Sequence, residues 1–167
     1  MTETSYTDEE LAELDAITRQ VDIDAPAHEV WALVCRPGWY VNDGTVYADA
    51  DMGSKLTYRT ETDSQGRQID VLDMAGKGEF RFRAVQLDEP HYAAFRWMGT
   101  PWREPTEGTL VEFWIDEHAH GVTLRVKESG FSTLSDDPAV WLKEREGNDK
   151  GWSDELAAGK TWVEARV

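Results

Sequence analysis

Hydrophobic and polar residues alternate along most of the middle of the chain. A period of two is typical of strands that bury one face, and it recurs in seven short segments. In chain order these read AITRQVDI, KLTYRTET, QIDVLD, EFRFRAVQL, HYAAFRWM, TLVEFWID and VTLRVKES. The connections between the last six carry Gly, Pro or Asp and leave no room for crossover helices, so the sequence predicts an antiparallel meander.

Two parts of the chain follow a helical period instead. After the first strand, Val30, Leu33 and Val34 form one apolar stripe and predict a short helix, and Pro37-Gly38 behind it indicates irregular structure or one further short helix. Residues 136–167 predict a long C-terminal helix. Its apolar face consists of Trp152, Leu156, Gly159 and Val163. The glycine on this face predicts a close approach of the helix to the sheet.

Together these elements predict an α+β fold. The order is one strand, one or two short helices, six further strands and a long helix, and no crossover helix separates the consecutive strands. A doubly wound parallel sheet is therefore excluded, and the helices are expected on one face of an antiparallel sheet. Residues 16–167 are expected to form a single domain, preceded by an acidic N-terminal tail of residues 1–15 that is mobile or forms a short surface helix.

The charge balance disfavours several kinds of partner. Lys and Arg number 17 against 33 Asp and Glu, which gives a formal net charge of −16. A field of this sign repels phosphate groups and anionic lipid head groups, so binding to nucleic acid or to a membrane surface is not expected. The acidic N-terminus, the single cysteine (Cys35) and the lack of a long apolar segment predict a soluble cytoplasmic protein.

Catalytic and metal-binding sequence motifs give no positive indication. The chain contains no Gly-x-Ser-x-Gly, no phosphate-binding glycine-rich loop, no paired-cysteine zinc spacing and no His-Glu-x-x-His. His118 and His120 lie beside Asp116 and Glu117, but a solvated hairpin turn explains that cluster better than a metal site. We therefore predict neither a metal nor a cofactor.

Four segments in order carry a family resemblance. They are VDIDAPAHEVWALV, GTLVEFWID, VTLRVKESGF and a Gly-Trp pair at the start of the last helix. In this order and spacing they resemble the START-like (SRPBCC) superfamily of helix-grip proteins, and in particular the branch named after the C-terminal domain of the activator of the heat-shock protein 90 ATPase. The corresponding residues are Ala25-Pro26 with Val30-Trp31, Ser129-Gly130-Phe131 and Gly151-Trp152, and the match spans about residues 16–165.

The resemblance implies a strongly curved antiparallel sheet of about six to seven strands that wraps around the C-terminal helix and leaves a cavity between them. Many relatives bind a lipid, a polyketide, a hormone or another apolar ligand there, so we expect this domain to bind a hydrophobic or amphipathic small molecule. A few relatives are cyclases or related enzymes, which leaves a cyclase or dehydratase acting on an aromatic or polyketide-like substrate as an alternative. A chaperone-associated protein-interaction domain, with the acidic surface as its docking face, is a further alternative.

Strand alternation assigns candidate ligand-binding residues to the concave face of this sheet. The candidates are Arg19, Leu56, Tyr58, Phe80, Phe82, Phe95, Trp97, Phe113 and Leu124 on strands, with Trp152 and Leu156 on the last helix. A closed hydrophobic core is the other interpretation of the apolar members. Arg19 interrupts an apolar strand face and therefore needs a carboxylate, a ligand or the cavity mouth, while Tyr58 offers a hydroxyl within the cavity. In the enzyme alternative these two residues orient or polarise the substrate, although no inward-facing carboxylate or histidine is evident as the base.

Overall fold

Seven antiparallel strands form one sheet in the computed structural model, which describes residues 6–41 and 56–167 and, for Leu56, the backbone alone. In chain order the strands are β1 Ala16–Ile23, β2 Leu56–Thr62, β3 Gln68–Met74, β4 Gly78–Asp88, β5 Tyr92–Gly99, β6 Thr109–His118 and β7 Gly121–Ser129. Their order across the sheet is β1-β7-β6-β5-β4-β3-β2, so β2 to β7 form a meander and β1 pairs with the last strand. The predicted strands and their antiparallel arrangement are confirmed.

Three α-helices accompany the sheet in the described part of the chain. They are α1 Asp8–Glu13, α2 Ala27–Val34 and α3 Pro138–Glu164, and a 3-10 turn spans Phe131–Thr133. The short helix after β1 and the long helix at the C-terminus confirm the predicted α+β order of elements. None of these described helices has a stretch long and apolar enough to cross a lipid bilayer.

The C-terminal helix begins earlier than the resemblance implied. Asp137 caps it by accepting a hydrogen bond from the backbone amide of Ala139 at 3.0 Å, and Pro138 occupies the first turn, where its missing N–H costs nothing. Gly151-Trp152 therefore lies in the middle of α3, and the expectation that this pair starts the last helix is wrong. The same tryptophan is nevertheless on the buried face of α3, as the helical period predicted.

The glycine on the buried face of α3 has a different neighbour from the one expected. A Cβ atom at Gly159 would lie 3.0 Å from the ring of Trp39 and 3.2 Å from Leu33 Cδ2 in α2. The nearest neighbours of Gly159 are therefore α2 and the residues that follow it, while α3 also packs against β1 of the sheet. The small residue at this position lets the C-terminal half of α3 pack closely against α2. The N-terminal half of α3 faces the connection between β5 and β6.

The inner face of the curved sheet forms the hydrophobic core together with α2 and α3. Alternation identifies this face correctly in β6, where the buried residues are Val111, Phe113 and Ile115. The outer face of β2 to β4 is covered by ion pairs, such as Arg59 with Glu79 at 2.7 Å and Arg81 with Glu61 at 2.6 Å. Polar chemistry on the inner face is therefore the feature that needs explanation, because a core face is otherwise apolar.

Candidate functional site

A carboxylate lies on the inner face of the sheet at the end of β7. The alternation that buries Val122, Leu124 and Val126 continues to Glu128, whose residue exposure is 1%. Three side chains donate to its two oxygens. Thr109 Oγ1 donates to Oε2 at 2.6 Å, Trp152 Nε1 donates to Oε1 at 2.9 Å, and Asn148 Nδ2 reaches Oε1 at 3.0 Å and Oε2 at 3.1 Å. Glu128 thus ties α3 to two strands of the sheet.

The protonation of Glu128 reflects opposing effects. Burial raises the pKa of its carboxyl group, and this effect outweighs the hydrogen bonds from Thr109, Trp152 and Asn148 and the charge of the Arg103 guanidinium, which lower it. A carboxylate offers about four lone-pair positions, and the contacts from these donors occupy them. Glu128 therefore serves three donors from β6 and α3, and it holds them in place.

The raised pKa of Glu128 predicts that the stability of the fold depends on pH. Because the folded-state pKa of Glu128 lies above the ordinary value of 4.5, the folded chain holds the proton where the unfolded chain has released it. The stability that Glu128 contributes is fully present below about pH 4.5 and is lost as pH rises through the folded-state pKa. The test compares the free energies of unfolding of the wild type and of Glu128→Gln in urea titrations at several pH values. We expect the difference, wild type minus variant, to fall as pH rises over this range. The total fall should be about 1.4 kcal/mol for each unit by which the folded-state pKa exceeds the ordinary value. A difference that stays flat or grows with pH contradicts this assignment.

Tyr40 places a phenol in the aromatic interior beside this carboxylate. Its exposure is 3%, and its ring centroid lies 4.9 Å from that of Trp152, 5.2 Å from Trp97 and 5.7 Å from Phe82. Burial, and secondarily the charge of Glu128, raises the pKa of Tyr40 well above its usual range, so the hydroxyl keeps its proton. Neither this hydroxyl nor the indole Nε1 of Trp97 has a hydrogen-bond partner among the described residues, although both atoms are buried.

Arg103 brings a cation to the same region from the connection between β5 and β6. Its side chain is 16% exposed, and its Nε lies 3.8 Å from Glu144 Oε1 on α3, too far for a hydrogen bond. Its Nε and Nη1 are buried, and nothing in residues 6–41 or 56–167 accepts a hydrogen bond from them. Burial lowers the pKa of the guanidinium, while the charges of Glu144 and Glu128 raise it. The group remains a cation, because arginine does not lose its proton in proteins.

An open groove of about 760 Å³ runs between the N-terminal half of α3 and this connection. Trp102, whose exposure is 65%, forms one wall, with its Nε1 donating to Glu144 Oε1 at 2.8 Å. The opposite wall is α3, where Val140 and Gly147 face the groove. Asn148 also lines it, and because Asn148 donates to the buried carboxylate, the groove adjoins the polar centre of the interior.

Most of the sequence-predicted residues form the wall of this interior. Those that are buried are Phe80, Phe82, Phe95, Phe113, Leu124, Trp152 and Leu156. Trp97 is half-buried and stacks on the ring of a neighbouring phenylalanine, with the two centroids 5.9 Å apart. The side chain of Leu56 lies outside the described residues. Of these, Phe82, Phe113 and Trp152 contact the ring of Tyr40, and Trp152 also donates to the carboxylate at the end of β7. Neither Tyr40 nor that carboxylate was among the candidates.

The two polar candidates lie at opposite edges of the sheet. Arg19 is on edge strand β1, exposed, and forms an ion pair with Asp149 of α3. Tyr58 is on edge strand β2, with an exposure of 45% and a pKa raised by burial and by the charge of Asp70. The structure therefore does not bring them together at one small substrate, as the enzyme alternative required.

The inward-facing carboxylate was missed although its signal is in the sequence. In VTLRVKES the buried positions fall on every second residue, and Glu128 continues that series after Leu124 and Val126. No inward-facing carboxylate was evident from the sequence, and the structure places one at Glu128. Tyr40 and Arg103 lie in connections without periodicity, so alternation gave no indication of them.

Comparison with known proteins identifies the class of fold. The sequence matches no family model, and it matches none of the curated proteins. Its structure has the helix-grip architecture, a curved antiparallel sheet against a long C-terminal helix, which confirms the predicted fold class and which solved structures of AHSA1-like and related proteins share.

Three solved structures illustrate the similarity. An AHSA1-like protein from Aeromonas hydrophila is 16% identical, with a TM-score of 0.56 over 90% of this chain and 93% of that one. The Aha1 dimer from Colwellia psychrerythraea is 15% identical, with a TM-score of 0.59 over 89% of this chain and 96% of that one. A protein from Nitrosomonas europaea is 11% identical, with a TM-score of 0.61 over 92% and 96%. At these identities the likeness shows the fold alone.

Proposed function

We propose that this domain binds a small, largely apolar molecule with one polar group, held against the aromatic interior between the sheet and α3. The observation that carries the proposal is the pair of buried donors, Tyr40 Oη and Trp97 Nε1, that find no partner in the described part of the chain. Native proteins pair nearly all buried polar groups, and each unpaired one costs about 1–3 kcal/mol. A ligand that accepts hydrogen bonds from these two groups removes that cost, so the donors favour a ligand-binding interior over an inert core.

The groove beside Trp102 supports the same function. Ligand sites have volumes of roughly 300 to 1,000 Å³ and mostly apolar walls. The groove of about 760 Å³ falls in this range, and its exposed tryptophan and Val140 offer apolar surface next to Asn148. We infer that the ligand reaches the interior from this side.

The donors around Glu128 favour a structural role for this carboxyl group, and with it binding rather than acid–base catalysis. A cyclase or dehydratase needs a base that can accept a proton from its substrate. Glu128 is the buried carboxyl group beside Tyr40, and Thr109, Asn148 and Trp152 already donate to its oxygens. The same carboxylate orders the interior in which the ligand is held.

Two glycines in α3 allow a matched test of the groove. A Cβ atom at Gly147 or at Gly151 would meet none of the described atoms within 4 Å, so a side chain can start from either position without a clash, but only Gly147 belongs to the lining of the groove. We expect Gly147→Leu to weaken binding of the uncharged dye Nile red at least tenfold, and Gly151→Leu to leave it unchanged, in fluorescence titrations. Leucine is also the better helix former, so both variants should fold.

Equal dye affinity in Gly147→Leu and Gly151→Leu contradicts the groove as the route to the site. Native mass spectrometry of the protein purified from its own host, followed by organic extraction, then identifies the natural ligand. We expect a stoichiometric apolar molecule to be released.

A further inference from the structure

We propose that the polar group of the ligand is an uncharged hydrogen-bond acceptor, the carbonyl oxygen of a ketone, ester or amide, carried on a flat apolar body. This inference rests on the proposed function and names the chemical class of its ligand. Three observations carry it: which buried groups are unpaired, how the nearby charges sum, and which rings surround the site.

The first observation is that the groups left unpaired by the described residues around the site are donors. The indole nitrogen of Trp97 and the Nε and Nη1 of Arg103 can only donate, and the hydroxyl of Tyr40 keeps its proton. The strong acceptor at the site, Glu128, is already occupied by its own donors. A ligand that accepts hydrogen bonds is therefore matched here, whereas an amine N–H could donate only to the hydroxyl oxygen of Tyr40 and would leave the N–H groups of Trp97 and Arg103 unpaired.

The second observation is that the charges do not favour an anion. The cation of Arg103 faces two carboxyl groups, that of Glu144 at 3.8 Å and that of Glu128. If Glu128 carries its proton, the formal charges of Arg103, Glu144 and Glu128 add up to zero. If Glu128 is ionised, they add up to a net negative charge. A carboxylate or phosphate on the ligand would then add a buried charge that these three groups do not compensate, which is strongly unfavourable. An uncharged carbonyl avoids this cost and still accepts from the unpaired donors.

The third observation is the shape of the surroundings. The ring of Tyr40 is packed among Trp97, Trp152, Phe82 and Phe113, with centroid distances between 4.9 and 5.7 Å. Aromatic walls favour a flat partner that makes offset or edge-to-face contacts with them. The probe of choice is therefore a fused aromatic ring that carries the carbonyl.

Three naphthalene compounds with one ring system separate the possible polar groups. Acetylnaphthalene carries a ketone, ethylnaphthalene replaces the ketone with a hydrocarbon of similar shape, and naphthoate carries a carboxylate. In competition with Nile red on the full chain, we expect acetylnaphthalene to bind about tenfold more tightly than either of the others, the factor that corresponds to one net hydrogen bond. Calorimetric titration of each compound provides an independent affinity.

Tyr40→Phe tests which group recognises the ketone. It removes the unpaired hydroxyl and keeps the ring, so folding is not endangered, and we expect it to reduce the preference for acetylnaphthalene over ethylnaphthalene several-fold. Tyr92→Phe is the matched control, because the hydroxyl of Tyr92 donates to Glu112 on the outer face at 2.6 Å. The preference should be unchanged in this control.

The possible failures are distinguishable. If Nile red binds but ethylnaphthalene or naphthoate matches or exceeds acetylnaphthalene, the carbonyl proposal is overturned and the proposed function stands. The carbonyl proposal is likewise overturned if the preference survives in Tyr40→Phe, because the donor is then not the one assigned. If neither Nile red nor any naphthalene compound binds, the proposed function and the ligand class fall together.

Discussion

Replacing Glu128 with leucine is expected to lower the free energy of unfolding by about 3 kcal/mol. Leucine has a similar volume and creates no large cavity, but it leaves donors from Thr109, Asn148 and Trp152 without an acceptor. Each unpaired buried donor costs about 1–3 kcal/mol, and removal of the buried carboxyl group returns part of that sum. The effect is large because this one side chain accepts hydrogen bonds from β6 and from two turns of α3.

Urea unfolding of Glu128→Leu beside Glu128→Gln separates hydrogen bonding from volume. Glutamine keeps one acceptor oxygen, and the amide of Asn148 can reverse to accept from the new NH₂ group, so we expect a loss of only about 1 kcal/mol. If Glu128→Leu proves as stable as Glu128→Gln, the hydrogen-bond network does not hold α3 on the sheet. The interior would then tolerate a purely apolar centre, as some proteins do when a buried ion pair is replaced by apolar residues.

The fold could be predicted from the sequence because its signals are local. A period of two in segments such as TLVEFWID fixes the inner face of β6, and the turns rich in Gly and Pro fix the meander. At the start of α3, the family motif gave the wrong position, whereas the residues that cap the helix indicate the right one. Asp137-Pro138 is an ordinary helix start, whereas the Gly151-Trp152 pair marked the middle of the helix.

The site could be predicted only in part, because it joins residues that are distant in the sequence. The inward direction of Glu128 follows from the alternation in β7, but its partners Asn148 and Trp152 lie 20 and 24 residues further along. No local pattern indicates that α3 places these two side chains opposite that strand. Arg103 and Tyr40 come from irregular connections, whose course depends on packing against the finished sheet. Tertiary structure, rather than periodicity, therefore assembles the polar centre.

Gly108→Ala is expected to lower the free energy of unfolding by about 3 kcal/mol or more, because two penalties combine at this position. Gly108 has a φ of +63°, which disfavours any side chain, and a Cβ atom there would lie 1.7 Å from the carbonyl oxygen of Trp97. The contact is with backbone, so no rotamer change relieves it. Gly108 directly precedes Thr109, and the tight turn at this glycine positions the Thr109 hydroxyl to donate to Glu128.

Gly66→Ala is the control that isolates the steric part of this cost. Gly66 has a φ of +80°, but a Cβ atom there would meet no atom of the described residues within 4 Å, so alanine incurs only the conformational penalty of about 1–2 kcal/mol. Urea or thermal unfolding of the two variants should therefore show a clear excess loss for Gly108→Ala. Equal losses would mean that the connection between β5 and β6 shifts away from Trp97 to admit the methyl group. Such a shift would also move Trp102 and Arg103, so the affinity of Gly108→Ala for Nile red would then change with little further loss of stability.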